Sequence, residues 1–427
     1  MADLPPNWKM KKCFSGICPS EAQQEQQQRK GNDMTSTLIT RRTALKTFGA
    51  GAAAAASLSL GMPSILRAQE GPIKLGFLSG LTGLETILGE TQLNCFNLAI
   101  SEINNAGGIA GRQVEVTVED DQTTTRGAID KARKLVNDDE VDAIIGLIAS
   151  LTHVAARSVT TPAKKLLMYT TYYEGDVCEP YFFSTGQVPN QQIVPSVEWL
   201  TANEGKTTYI IGSDYVWPRR SAEEVQVALE AKGGKVLGAE FLPFGTQDFG
   251  PVFDRLKAAK PDFVWVMVAG NDLITCLKQY KSFGFKQQLF SNGLDESFSF
   301  FHPELTAGTL SNQAYFMGLE SERNTAFKLA YADMYGADKP INAISEAAYD
   351  AVYLYKAAVE RAGTTETEAV RAAFRSVEFD APQGKVNFAA NNVMRSNSLL
   401  ARGNDKGQWE ILENFGQIDP EVAQCKL

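Results

Sequence analysis

Short apolar runs alternate with longer segments of helical periodicity after residue 70. In the first part of this region, strands are predicted at 73–78, 114–119, 143–148 and 166–170, and helices at 92–105, 127–137 and 152–164. Strands that are separated by helices pair in parallel, because each connection has to cross a face of the sheet. The sequence therefore predicts an α/β fold with a doubly wound parallel sheet.

The same alternation restarts after Val188 and Pro189, with a helix predicted at 191–202. Strands are then predicted at 208–212, 236–241, 263–268 and 288–290, and helices at 221–231, 249–259 and 272–283. Two later helices, 323–335 and 341–361, follow without a strand between them. Because such helices have to pack on an earlier unit, we expect two lobes joined by a hinge that the chain crosses several times.

These patterns divide the chain into three parts. Residues 1–69 are predicted to be an N-terminal extension with a signal peptide, 70–188 and 320–378 to form lobe 1, and 189–319 and 379–427 to form lobe 2. The 427 residues less the first 69 leave 358, which is enough for two separate hydrophobic cores.

An export signal is predicted from Arg41 and Arg42, which precede an uncharged, Ala-rich run at 48–60. That run is too short for a membrane span, and the charged, apolar and small-residue segments follow one another as in a signal peptide. The segment TRRTALK at 40–46 resembles a twin-arginine signal, with Ala44 where phenylalanine is usual. We expect export to the periplasm and a mature chain that begins near Glu70. Met34 would start a signal of conventional length.

Composition excludes several classes of function. The net charge of -9 argues against a nucleic-acid-binding face, which would have to be basic. The only histidines are His153 and His302, too few for the usual zinc sites and acid-base catalysts, and both are expected to be surface or cap residues. We predict neither a metal nor a cofactor.

The cysteines after residue 70 lack the CxxC spacing of metal or redox sites. Cys95 and Cys276 lie in helical patterns and are predicted to be free, buried thiols. Cys178 follows Glu174, but no lysine motif of a nitrilase accompanies them, and we do not expect an enzyme. Disulfide pairing is left open at this point.

The segment EINNAGGIAGR at 102–112 ends a predicted helix with two glycines, which permit a C-cap and a tight turn. Together with the following strand that ends in Asp120 and Asp121, it resembles the signature of type I periplasmic binding proteins. The resemblance runs from about Gly71 nearly to the C-terminus and includes EAAYD at 346–350. It implies a non-enzymatic receptor that closes two lobes on a small polar molecule and delivers it to an inner-membrane ABC permease. A monomer is expected, with a dimer left open.

Three further blocks resemble the urea- and short-chain-amide-binding branch of these proteins. They are YYEG at 172–175, VPNQQ at 188–192 and GSDYVWPR at 212–219. The resemblance implies an amide-like, urea-like or amino-acid-derived ligand. The alternative is a ligand-responsive regulator similar to amidase-regulating amide sensors, against which the predicted export signal argues.

Ligands of open α/β sheets bind beyond the carboxyl ends of the strands. This rule selects Ser150, whose hydroxyl and neighbouring backbone N–H groups could bind a ligand oxygen at a helix start, unless it is a plain N-cap. Tyr169 and Thr171 match positions that contact the amide in the resembled branch, with core packing as the alternative for Tyr169. Tyr215 and Trp217 match two tyrosines of that branch and would form the opposite wall.

Asp295 lies near the position where amino-acid binders keep the carboxylate for the ligand ammonium, as does Glu296. A solvated loop acid is the alternative, and this position decides between an amino acid and a neutral amide. Ile148 replaces an aromatic residue of the branch, and Trp217 replaces a tyrosine. Because the wall loses a hydroxyl, we expect a ligand that is larger or more apolar than urea.

Overall fold

The structure is a computed structural model that describes residues 71–423 and 425–427. The twin-arginine motif, the predicted signal peptide and the cysteines at positions 13 and 18 lie outside these residues.

The first sheet is formed by β1 Ile73–Ser79, β2 Val114–Asp120, β3 Ala143–Gly146, β4 Leu166–Tyr169 and β5 Phe182–Ser184. Its order is β2-β1-β3-β4-β5, and every pairing is parallel. The connecting helices are α1 Thr86–Asn105, α2 Thr125–Arg133, continued by a π-helical turn at Lys134–Asp138, and α3 Ser150–Thr160. The predicted α/β alternation of this lobe is confirmed.

The second sheet begins with β6 Thr207–Ser213, β7 Lys235–Leu242, β8 Phe263–Met267, β9 Gln288–Phe290 and β10 Leu310–Gln313, which pair in parallel. It continues with the antiparallel strands β11 Phe379–Ala381, β12 Gly384–Phe388, β13 Met394–Gly403 and β14 Trp409–Ile418. Its helices are α4 Pro189–Asn203, α5 Val216–Ala231, α6 Gly250–Ala259, α7 Gly270–Ser282, α8 Glu296–Ser299 and α9 Pro303–Thr306.

Six strands were not predicted from the sequence, namely β5, β10 and β11 to β14. Three of them are only three or four residues long, too short to show a period. Strand β14 is mostly solvent-exposed and carries glutamates and amides, so it lacks the apolar run of a buried strand. The alternation of helices and strands located most of the parallel strands, including the partly buried β2 and β7.

The late helices pack on the first sheet. They are α10 Glu322–Tyr335, α11 Ala343–Ala362 and α12 Thr367–Ala373. The hydrophobic core of the first lobe includes Phe96 of α1, Phe327 of α10 and Tyr355 of α11. A chain segment that follows the second set of parallel strands therefore completes the first lobe.

Two segments differ from the predicted division of the lobes. Ala381, Val386 and Phe388 of β11 and β12 belong to the core of the first lobe, although the sequence pattern places 379–427 in lobe 2. Val422 packs beside Tyr169, also in the first lobe. The predicted boundary fails because the ten-residue strand β13 starts in the core of the first lobe and ends in the core of the second. The lobes therefore cannot be divided at a single residue of this segment.

A disulfide fastens the C-terminal tail to the first lobe. Cys178 and Cys425 are bonded across 247 residues of sequence, with their Cα atoms 5.3 Å apart. Cys95 and Cys276 are free and buried among the described residues, as predicted. The pairing that the sequence left open is thus a covalent link between the loop after β4 and the end of the chain.

Replacement of Cys425 by serine is expected to lower the free energy of unfolding by about 2–4 kcal/mol, because the unfolded chain loses a long-range cross-link. Urea unfolding of the oxidised protein measures this value. Reductant should lower the stability of the wild type to that of Cys425→Ser and leave the variant unchanged. An equal loss in both proteins would contradict the assignment.

Candidate ligand-binding site

A pocket is lined by residues of both lobes. Its walls are the loops and helix starts that follow β1, β3, β4, β6, β8 and β9, at the carboxyl ends of parallel strands. This is the edge of an α/β sheet at which ligands bind. The two sheets therefore bring their ligand-binding edges together around one cavity.

The N-terminus of α3 forms part of the first-lobe wall, through Ile148, Ala149 and Ser150. Ala149 is the N-cap and Ser150 is the first helical residue, so Ser150 does not cap the helix. The first N–H groups of a helix have no partner within it and carry partial positive charge. This wall can therefore bind a ligand oxygen through the backbone.

Aromatic rings form a second wall that crosses from one lobe to the other. The ring of Tyr172 in the first lobe lies 5.1 Å from that of Trp217 in the second, centroid to centroid. Tyr215 lies 6.4 Å from Trp217 on the other side. Such rings can bury the apolar part of a ligand, and the tyrosine hydroxyls can bond its polar edge.

The two lobes come into close contact at Gly270, the first residue of α7. Its φ of 55° is in the left-handed region, and a Cβ atom there would lie 2.6 Å from the carbonyl oxygen of Leu84. The preceding N-cap, Ala269, donates its N–H to Ser213 Oγ at 3.0 Å. Glycine thus allows the backbone of the second lobe to approach the loop between β1 and α1.

Two buried carboxyl groups make the pocket region acidic. Burial, aided by repulsion from Asp121, raises the pKa of Glu85 to about 7, and Glu85 lines the cavity. Burial also raises the pKa of Asp295 to about 7, and both groups act on Tyr172. Among the described residues that line the cavity there is no lysine or arginine. The uncompensated acids favour a ligand that brings a positive charge or N–H donors.

The loop that carries Glu85 is held in place by Asp120 at the end of β2. Its carboxylate accepts hydrogen bonds from the N–H of Leu81 at 3.0 Å, and from the N–H and hydroxyl of Thr82 at 3.2 and 2.5 Å. Burial opposes the ionisation of Asp120, but these bonds outweigh it and lower its pKa. Asp120 therefore fixes the ligand-facing loop as an anion.

Four of the residues selected from the sequence line the cavity: Ser150, Thr171, Tyr215 and Trp217. Asp295 is not among the lining residues and caps α8, where it accepts the N–H of Ser297 at 2.8 Å. It is buried, with 1% of its surface exposed, and not a solvated loop acid.

Tyr169 lies behind the cavity wall. It is fully buried, and its hydroxyl donates to the carbonyl oxygen of Ile148. Tyr169 therefore packs in the core, which is the alternative to ligand contact that the sequence left open. Tyr169 supports the start of α3 from behind, and it is not among the residues that line the pocket.

The expectation that His153 is a surface or cap residue is wrong, since it is 1% exposed. Its ring packs against Tyr169 and Phe182, which form a buried aromatic cluster that helical spacing alone did not reveal. His302 is the N-cap residue of α9 and keeps 30% of its side chain exposed, as predicted.

Sequence reasoning missed Glu85 and Tyr172. Both follow strand ends that the ligand-edge rule selects, and Tyr172 opens one of the three blocks noted above. A glutamate in a polar loop resembles any solvated acid until its burial is known. The feature that could have identified both residues is their position after the end of a parallel strand, and not their residue type.

No group of three or more His, Cys, Asp or Glu side chains in residues 71–423 and 425–427 is arranged to hold a metal ion. Within the same residues, no helix is long and apolar enough to cross a membrane.

The sequence pattern of one family, described as periplasmic binding protein, matches residues 72–408. The chain belongs to the periplasmic binding protein family. It is a periplasmic solute-binding protein for small ligands, of the type that serves ABC transporters, and not an enzyme.

Curated relatives resemble it over most of their length. A leucine-, isoleucine-, valine-, threonine- and alanine-binding protein of Pseudomonas aeruginosa is 26% identical over 330 residues, which cover 74% of this chain and 85% of the relative. A Leu/Ile/Val-binding protein of Rhizobium johnstonii is 23% identical over 335 residues, or 77% and 90% of the two chains.

Solved structures share the fold. A solute-binding protein of an R. palustris ABC transporter, in complex with benzoate, has a TM-score of 0.77 at 20% identity and covers 84% of this chain and 100% of its own. A branched-chain amino acid-binding protein of Streptococcus pneumoniae, in complex with isoleucine, has a TM-score of 0.73 at 20% identity, with 82% and 100% covered. The names of these proteins refer to amino acids or benzoate and not to urea or an amide.

Replacement of Gly270 by alanine is expected to keep the lobes apart, because its Cβ would collide with the Leu84 carbonyl. Small-angle scattering should show a larger radius of gyration than for the wild type. Gly284→Ala is the matched control, since Gly284 has a similar φ of 71° but no atom within 4 Å of the position that a Cβ would take. A radius for Gly270→Ala equal to that of the control would refute this role of the contact.

Proposed function

We propose that this protein is the extracytoplasmic receptor of an ABC importer for a small nitrogen-bearing solute, either amide-like, urea-like or derived from an amino acid. The observation that carries the proposal is the uncompensated acid Glu85, buried in a cavity that both lobes line. Ligand contacts made by both lobes at once would favour the closed form, and the closed form would deliver the solute to the membrane permease.

The same acid argues against an aromatic acid as the ligand. A benzoate carboxylate would meet Glu85 in a cavity that has no lining lysine or arginine among the described residues. Burial of like charges is unfavourable unless one of them takes up a proton. A zwitterion or an amide avoids this cost, because its nitrogen can donate to the Glu85 carboxylate.

In this proposal the ligand spans the cavity. Its carbonyl or carboxylate oxygen accepts from backbone N–H groups at the start of α3, around Ser150. Its nitrogen donates to Glu85, and its apolar part lies against Tyr215 and Trp217. Thr171 contributes to the same wall, although its hydroxyl already donates to the carbonyl of Leu147 at 2.9 Å.

Calorimetric titration with leucine, butyramide, urea and benzoate tests the ligand class. We expect binding of leucine or butyramide, and no comparable binding of benzoate. Glu85→Gln should weaken leucine binding by about tenfold or more, because a hydrogen bond to a charged group contributes about 1.5–3 kcal/mol. Glu115→Gln, on the exposed face of β2, is the matched control and should leave the affinity unchanged.

The affinity for leucine should also rise as the pH increases through about 7, because Glu85 then ionises and attracts the ammonium group more strongly. Glu85→Gln should flatten this dependence. Benzoate as the tightest of the four ligands, or no binding of leucine, butyramide or urea, would overturn the proposed ligand class.

We further propose that Arg41 and Arg42 direct the chain to the twin-arginine export route. A pair of arginines before a short apolar run supports this route. Replacement of both by lysine should retain the full chain in the cytoplasm, as cell fractionation measures, whereas replacement of Arg29 and Lys30 upstream should not. Export that survives the double lysine change would exclude this signal.

A further inference from the structure

A second, smaller pocket adjoins the aromatic wall of the ligand cavity, and we call it the hinge pocket. Its apolar lining is formed by Gly186, Ala314, Ala343, Ile344 and Ala347. Gly186 lies in the segment that connects β5 to α4, and Ala314 lies in the segment that connects β10 to α10. The hinge pocket is therefore bounded by two of the segments through which the chain crosses between the lobes.

The side chain of Tyr172 separates the hinge pocket from the ligand cavity. Tyr172 lines both of them, whereas Thr170 lines only the hinge pocket and Thr171 only the ligand cavity. Ile344 of the hinge pocket and Ile148 of the ligand cavity belong to one hydrophobic cluster, and Tyr172 packs against this cluster. The two pockets are thus neighbours, and the Tyr172 ring is the partition between them.

The partition reaches from the first lobe to the second. Tyr172 follows β4 of the first sheet, and its ring lies 5.1 Å from that of Trp217 in the second lobe, centroid to centroid. The position that a Cβ atom on Gly293 would take lies 3.7 Å from the Tyr172 hydroxyl oxygen, and Gly293 follows β9 of the second sheet. The ring therefore closes the ligand cavity on the side of the hinge.

The interior of the hinge pocket is suited to an apolar group. Among the described residues that line it, none carries a charge. Besides Tyr172, its polar side chains each have a hydrogen-bond partner already: Thr170, Thr185, Gln187 and Gln313. Thr185 Oγ1, for example, donates to the carbonyl oxygen of Ala347 at 2.9 Å. An aliphatic chain would leave these bonds intact, whereas a buried polar group without a partner is costly.

We propose that Tyr172 determines the size of the ligand, because its ring stops the apolar chain of the ligand at the partition and excludes it from the hinge pocket. This inference rests on the proposed function, in which the apolar part of the ligand lies against Trp217 and therefore next to Tyr172. The solute is then one with a short aliphatic chain. Removal of the ring would join the two pockets and admit a longer chain.

Two straight-chain series test this inference by calorimetric titration: primary amides from propionamide to octanamide, and α-amino acids from alanine to 2-aminooctanoate. Wild-type affinity should rise about fourfold with each buried methylene group and fall once the chain reaches the partition. Tyr172→Ala should bind longer chains best. In this variant the affinity ratio of octanamide to butyramide, or of 2-aminooctanoate to norvaline, should rise by about tenfold or more.

Two control variants separate the partition from a general loss of the wall. Tyr172→Phe keeps the ring and should leave the ratio unchanged, whatever the loss of the hydroxyl does to the absolute affinities. Tyr215→Ala removes a ring that lines the ligand cavity and not the hinge pocket. Because Phe244 beside Tyr215 is 43% exposed, a longer chain there meets water. Tyr215→Ala should weaken binding without raising the ratio. An equal rise in this variant, or no rise in Tyr172→Ala, would overturn the inference.

Filling the hinge pocket tests whether the longer chain enters it. Ala343→Leu should reverse the rise of the ratio in the Tyr172→Ala background, and it should leave the ratio unchanged in the wild-type background, where the ring already excludes the chain. Additive effects of the two changes would contradict the proposed role. Ala314→Leu is a second filling variant. If Tyr172→Ala does not fold by circular dichroism, Tyr172→Leu replaces it and should shift the ratio in the same direction.

Failure of the proposed function gives a different result. If the wild type binds benzoate and neither series, the proposed ligand class is wrong, and the ratio of 4-butylbenzoate to benzoate tests Tyr172 in the same variants. If the wild type binds either series and Tyr172→Ala leaves the ratio unchanged, only the role of Tyr172 is wrong. Binding of urea alone would also overturn that role, since urea has no chain to limit. A wild type that binds none of these probes overturns both proposals.

Discussion

Parallel strand pairing is the constraint on which the site depends. In a parallel sheet, all strands end at the same edge. The pairing of β1, β3 and β4 therefore also brings together the loops that follow them. The second sheet repeats this arrangement with β6, β8 and β9. The cavity exists because these two edges face each other, and the contact between Gly270 and Leu84 shows how closely the backbones approach.

The chemistry of the cavity follows from buried charge. Glu85 and Asp295 are removed from water without a lining cation among the described residues, and burial raises the pKa of each to about 7. Asp120 shows the contrasting case, since hydrogen bonds from the next loop stabilise its ionised form. Asp120 is thus held ionised by its hydrogen bonds, whereas Glu85 and Asp295 have pKa values of about 7. A positively charged group or an N–H donor close to either acid would favour its ionised form.

The regular part of the fold was predictable because its signal is local. Strand β8 is a continuous apolar run buried on both faces, and strands β1 and β6 are buried apart from Lys74 and Thr207. Each of the three is followed by a segment of helical period. Strand β14 gave no such signal, since one face of it meets solvent. The boundary between the lobes could not be predicted from local sequence patterns either, because β13 contributes residues to both cores.

For the site, the sequence by itself determined which strand ends carry ligand-facing loops, and it selected Ser150, Thr171, Tyr215 and Trp217 from them. Only the tertiary structure decided that Glu85 lies in the cavity wall, that Tyr169 lies behind it, and that His153 is buried. The physical reason is that the positions of strands and helices along the chain follow from local periodicity, whereas burial and charge partners depend on residues far apart in the chain.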